Sequence, residues 1–158
     1  ALPIELADFA AERFPELEIM QGDCQTLDLP DQSVDVAIAA AIIEHVPDPR
    51  QMVREARRVL RDGGVFVLTS PDPFWEHIAT MVGHLRSDQH HVVMNLRQLT
   101  ELLQGEDFDV VIAEKFMLSP IGMPLEFTAE RLLRSLRLDC LLANQLVAAV
   151  RPQRLQIQ

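Results

Sequence analysis

One helix in this sequence is punctuated at both ends, and an apolar run flanks it on either side. Asp48 is a capping residue and Pro49 fits the first helical position. Met52, Val53, Ala56, Val59 and Leu60 recur at helical spacing, and Gly63-Gly64 supply a stop. Arg57, Arg58 and Arg61 fall where cations suit the negative end of the helix dipole, and they read as a solvated helix face. Residues 34–42 upstream are too continuously apolar for a half-exposed strand and read as a parallel strand buried on both faces, although an Ala-rich run also suits a helix. Residues 65–69 downstream form a second strand, ended by Ser70-Pro71. Strand, helix and strand at this length make a right-handed crossover between parallel neighbours.

The remaining punctuation extends the alternation. Pro3 opens and Pro15 closes a helix with Leu6, Phe9, Ala10 and Phe14 at helical spacing, followed by a short strand at residues 17–20. Residues 29–33, Leu-Pro-Asp-Gln-Ser, are turn chemistry. A looser helix is expected over residues 74–85, a polar break over 86–91, and a helix capped by Asn95 through Leu96, Leu99, Leu102 and Leu103. Strands follow at residues 109–113 and 145–150, separated by a Pro/Gly loop at 119–124 and an amphipathic helix from Phe127. The fold class expected is α/β, a Rossmann-like doubly wound, mainly parallel sheet, in a single domain across residues 1–158.

Composition narrows the function. With 24 acidic against 14 basic residues among 158, the net charge of −10 argues against nucleic acid or an anionic membrane as partner. No apolar run reaches the ~20 residues of a membrane-spanning helix. The N-terminus has no basic stretch leading into an apolar block, so no secretory signal is expected. Cys24 and Cys140 make neither a disulfide framework nor a metal-type pair, and no metal is expected. A cytoplasmic location fits.

Several linked motifs then resemble class I S-adenosylmethionine-dependent methyltransferases of the small-molecule type. They are Gly22-Asp23-Cys24, Leu29-Pro30-Asp31-Gln32-Ser33-Val34-Asp35, Glu44-His45-Val46-Pro47-Asp48-Pro49, and Glu55-Ala56-Arg57-Arg58-Val59-Leu60-Arg61-Asp62-Gly63-Gly64. The resemblance implies S-adenosylmethionine as cofactor and a small-molecule methyl acceptor. It implies that Asp23 accepts from the adenine amino group, that the Cys24 backbone faces the ring, and that Gln25 and Leu27 wall the same slot. It places residues 39–42, with Ala39 and Ala40 foremost, beside the methionine end of the cofactor, and points Glu44 and His45 at the acceptor. A Glu-His pair also occurs in ubiquinone-pathway O-methyltransferases, by the acceptor and a divalent metal. His84, Asp88, His90 and His91 form a second polar cluster, which reads as solvent-facing or acceptor-contacting. Phe74 and Trp75 read as core packing beside an acceptor loop.

One family signature is missing. No glycine-rich loop follows a first strand and no acidic residue ends a second, since the six glycines form no such cluster. The resemblance therefore implies a fold lacking its N-terminal quarter to third, although Ala1 is also what methionine removal would leave. A weak or inactive enzyme is expected, with a non-catalytic scaffold or dimerisation module as the alternative. In the family's sheet order, losing the first two strands leaves the strand at 17–20 to pair with 34–42, to pair with another copy, or to stay open. The expectation is a homodimer, or a partner that completes the sheet.

Overall fold

Asp48 caps the helix that organises the rest, its carboxylate accepting from the Gln51 N–H at 3.1 Å with Pro49 at the first position. This computed structural model describes residues 4–75, 77, 92–117, 126–136, 138 and 141–153. Its elements are α1 (Ile4–Arg13), β1 (Val34–Ala40), a 3₁₀ turn (Ile43–His45), α2 (Pro49–Val59), β2 (Leu60–Pro71), α3 (Leu96–Gly105), β3 (Asp109–Phe116), α4 (Glu126–Ser135) and β4 (Asn144–Val150). The helix expected over 74–85 and the cluster of His84, Asp88, His90 and His91 lie largely or wholly outside the described residues.

The sheet order is β1-β2-β4-β3. β1 runs parallel to β2, and β4 inserts antiparallel to both β2 and β3, so parallel pairing is confined to the strands joined by α2. The register aligns Ala37 with Phe66 and Ala39 with Leu68, and carries that row on to Ala149 and Val147. This face packs on Met52, Val53 and Ala56 of α2 and on Leu99, Leu102 and Leu103 of α3. Phe66 and Phe108 meet with ring centroids 5.6 Å apart. Fully burying each such side chain contributes about 1.5–3 kcal/mol, so this layer holds the domain together.

Three boundaries differ from those expected. α2 stops at Val59, and β2 begins at Leu60 rather than beyond Gly63-Gly64. The helix's last carbonyls are already taken there: Arg151 Nη1 donates to Arg57 O at 2.8 Å and to Leu60 O at 2.5 Å, while the Gln32 and Ser33 N–H groups donate to Arg58 O and Val59 O. Leu60 itself is fully buried. β1 ends at Ala40 because Ala41 turns into the left-handed region at φ +48°, its N–H bonding Thr69 O at 3.1 Å.

The strand expected at 17–20 does not form. Among the described residues no strand pairs with it, and Leu17, Ile19 and Met20 are exposed. A strand is stable only when a neighbour takes its hydrogen bonds, and an apolar pattern alone supplies none. For the same reason residues 34–42 are not buried on both faces. Val36 and Ile38 are 54% and 70% exposed on the face away from α2, and β1 is a sheet edge.

Candidate functional site

The parallel pair β1–β2 ends at Ala40 and Pro71, and ligands of open α/β sheets bind outside such carboxyl ends. Ala39 packs half-buried against the core and Ala40 is exposed, so small side chains line the end of β1. Two residues beyond Ala41 the chain tightens into the 3₁₀ turn, which separates its two polar members. Glu44 is 3% exposed and its Oε2 has no hydrogen-bond partner, while His45 is exposed. The Glu44 carbonyl accepts from the Val92 N–H at 3.4 Å. A buried carboxylate oxygen without a donor costs more than one left in water, and Gln145 Oε1 is buried without a partner in the same way.

A loop from the other side of α2 reaches the same end. Asp23 Oδ1 accepts from the Gln25 N–H at 2.8 Å and its carbonyl accepts from the Thr26 N–H at 3.0 Å, closing a tight polar turn. Asp23 stays exposed, with its second carboxylate oxygen outside that turn. Cys24 is half-buried against the core, and burial, with Asp23 adding a smaller push, raises its thiol above the ordinary range. Gln25 Oε1 accepts from the Asp48 N–H at 2.8 Å, which ties the loop to the start of α2 just past Glu44-His45. Leu27 is half-buried, with its N–H on Glu55 Oε2 at 3.0 Å and its carbonyl on Arg58 Nη2 at 2.9 Å.

The structure thus ties Gln25 to the start of α2, just after Glu44-His45, holds Leu27 further along the helix, and packs Cys24 and Ala39 against the same core; it shows no hydrogen bond of Asp23 or Ala40 with Glu44 or His45 among the described residues. It also shows polar residues that the sequence did not single out. Asp72, just after β2, is 4% exposed at its side chain and pairs with Lys115 Nζ at 2.5 Å. Gln145 is fully buried in β4, its Nε2 donating to Pro71 O and Met94 O, each at 2.9 Å. The arginine face of α2 is not simply solvated, because Arg58 is two-thirds covered and bonds Leu27, Leu29, Asp31 and Glu55. Its signal in the sequence was Glu55 three residues ahead, a spacing that pairs opposite charges on one helix face.

The residues present fit one edge of an S-adenosyl nucleoside. An exposed carboxylate at Asp23 can accept from an exocyclic amine, and alanines at the end of β1 leave room for a ligand. Among the described residues no glycine-rich turn faces them. A concavity of about 320 Å³ at the other end of α2 is lined by Arg54, Arg57, Arg58 and Arg151 together with Asp31 and Glu106. It offers no free cation for an anion, since each of these arginines is already ion-paired.

A methyltransferase-domain family model matches residues 3–68, a span that includes β1, α2 and most of β2. Over that span the chain is similar to methyltransferase domains. A probable S-adenosylmethionine-dependent methyltransferase of Mycolicibacterium smegmatis is 39% identical over 100 residues, which are 62% of this chain and 37% of that protein. The chain therefore spans well under half of that relative. An S-adenosylmethionine-dependent methyltransferase from Mesorhizobium loti superposes with a TM-score of 0.70 at 20% identity, covering 95% of this chain and 77% of the other. A chain in the complex between the Haloferax volcanii Trm112 methyltransferase activator and a methyltransferase gives 0.73 at 18% identity, covering 95% and 69%. These likenesses show a class I methyltransferase fold. The names of the first two relatives give S-adenosylmethionine as their cofactor.

Proposed function

We propose that this chain carries the acceptor side and one nucleoside wall of an S-adenosylmethionine-dependent methyltransferase acting on a small molecule. The single observation behind this is Glu44, whose buried oxygen lacks a donor at the carboxyl end of β1. When bound, the cofactor supplies a methyl group already activated by its sulfonium, so the protein's task is alignment. Asp23 and the Cys24 backbone would hold the adenine edge, with Gln25 and Leu27 beside it and Ala39 and Ala40 leaving space for the methionine end. Glu44 would receive an O–H or N–H of the acceptor and take its proton, a role worth about 10²–10⁴-fold. His45, exposed at the same turn, would contact the acceptor from the solvent side.

Calorimetry with S-adenosylhomocysteine tests this. Micromolar binding is expected, weakened about 5- to 150-fold by Asp23→Ala, the equivalent of 1–3 kcal/mol for a lost polar contact. No heat at millimolar ligand would overturn the enzyme reading in favour of a non-catalytic methyltransferase-like module.

The open edge of β1 supports a further part of this reading, that the chain self-associates or takes a completing strand there. β1 carries no Lys or Pro to blunt its edge, and Val36 and Ile38 beside it are exposed. A sedimentation mass above the monomer at micromolar concentration is expected, reverting to the monomer with Ile38→Lys. Among the described residues no helix is long and apolar enough to cross a membrane, and Cys24 is a free thiol, which supports placing the chain in the cytoplasm.

A further inference from the structure

The stretch between α1 and β1 has one isolated bridge, Asp23 with Thr26, and no strand or helix of its own. Its position comes from α2. Asp48, Gln51, Glu55 and Arg58 are spaced by three, four and three residues, which sets them in one stripe along the helix. Each touches the loop in order. The Asp48 N–H donates to Gln25 Oε1, Gln51 Nε2 donates to Gln25 O at 3.2 Å, and Glu55 accepts from Leu27 N–H. Arg58 then grips everything beyond.

All five N–H donors of Arg58 are placed. Nε donates to the Glu55 carboxylate at 3.1 Å, Nη1 to Leu29 O at 2.8 Å and Asp31 Oδ1 at 2.6 Å, and Nη2 to Leu27 O and Glu55 Oε2, both at 2.9 Å. Leu27 is consequently clamped at both backbone groups, one by Glu55 and one by Arg58, and these two are locked to each other. A planar fork suits this work, whereas a lysine ammonium is a point charge with three donors.

We propose that Glu55 and Arg58 are positioning residues for cofactor binding: through Leu27 they fix the loop that presents Asp23 and Cys24 to the adenine edge. This inference rests on the methyltransferase reading above. It predicts that affinity for the nucleoside is set partly by a helix face that never touches the ligand.

The test uses the whole chain with Cys140→Ser, leaving Cys24 as the only thiol in the loop. Arg58→Lys and Glu55→Gln are compared with the parent and with Arg57→Lys, a neighbour on α2 directed at Asp107 instead. Two quantities are read well below the melting temperature: the rate of Cys24 alkylation by iodoacetamide, and the Kd for S-adenosylhomocysteine. Arg58→Lys is expected to raise both about tenfold, the worth of one charge-assisted hydrogen bond, with Arg57→Lys raising neither. A lowered melting temperature with unchanged alkylation and unchanged Kd would mean a merely structural role and would overturn the proposal. So would faster alkylation with unchanged Kd, because the released loop would then not be the cofactor's. If the parent binds no S-adenosylhomocysteine yet Arg58→Lys accelerates alkylation, the methyltransferase reading fails while the anchoring of the loop stands.

Discussion

Lys115 Nζ lies 2.5 Å from Asp72 Oδ2, joining β3 to the segment just past β2 at the carboxyl end of the β1–β2 pair. The Asp72 carboxylate also accepts from the Phe74 N–H at 3.1 Å, and its own N–H donates to Ala143 O at 2.8 Å. The pair therefore pins the start of the chain that follows β2. Removing the cation alone leaves a buried carboxylate short of its main partner. Lys115→Met is expected to cost about 3 kcal/mol, the lower end for a buried pair because the lysine keeps a fifth of its surface in water. Adding Asp72→Asn should recover part of that loss. Thermal denaturation checks both, with a drop of about 2–4 °C per kcal/mol for a chain of this size.

Glu55 gives the pH dependence. Its partner Arg58 holds the carboxyl below the ordinary value near 4.5, against a smaller opposing push from burial. A carboxyl whose folded pKa is depressed favours the folded state above its unfolded pKa, and that contribution disappears as pH falls through the folded value. The stability gap between the parent and Glu55→Gln should thus be constant from neutral pH down to about 5 and close progressively below 4.5. Urea midpoints at pH 7, 5, 4 and 3 measure it. A gap that persists at pH 3 would assign the effect of the substitution to something other than the ion pair.

Local grammar was legible where one residue type does one job. Asp48 and Pro49 fixed the start of α2, and Asn95 that of α3, since capping is decided within four residues. The crossover between β1 and β2 followed from their spacing, whereas Glu44 was singled out by the resemblance and not by its spacing. Legibility failed where a distant group decides the outcome. Arg151, more than 90 residues away, terminates α2 by occupying its last carbonyls. The apolar residues 17–20 look like a strand, yet pairing depends on what lies alongside. Arg58 read as solvated because two of its acceptors, Leu27 O and Leu29 O, are backbone carbonyls of a loop, which carry no sequence signature, although Glu55 three residues ahead does.

The start of α3 makes a contained stability prediction. Asn95 accepts from the Gln98 N–H at 3.0 Å, and Gln98 Oε1 accepts from the Asn95 N–H at 2.9 Å, a reciprocal capping box. Asn95→Ala removes one arm and should cost about 0.5–2 kcal/mol. Gln98→Ala should cost less, because the cap's own N–H is exposed and water replaces the lost acceptor. Chemical denaturation of the two variants orders them, and the reverse order would mean that Gln98 packs more than it caps.

Gly63 and Gly64 are adjacent but constrained for different reasons. Gly63 has φ +82°, and a Cβ there would meet only the flexible end of Gln153 at 3.4 Å. The cost of Gly63→Ala is that of the left-handed backbone, about 1–2 kcal/mol. At Gly64 a Cβ would come within 2.8 Å of Arg61 O and 3.1 Å of Asp35 O, both backbone atoms of the β1–β2 region. Neither can move without shifting the register of the parallel pair. Gly64→Ala is therefore expected to destabilise more than Gly63→Ala, by about 1–3 kcal/mol as for an overpacked core. Gly22→Ala, with nothing within 4 Å, serves as the neutral reference. Urea denaturation of the three variants decides the order. If Gly64→Ala matched Gly22→Ala, the close approach of β1 to β2 at Asp35 would not exist in solution.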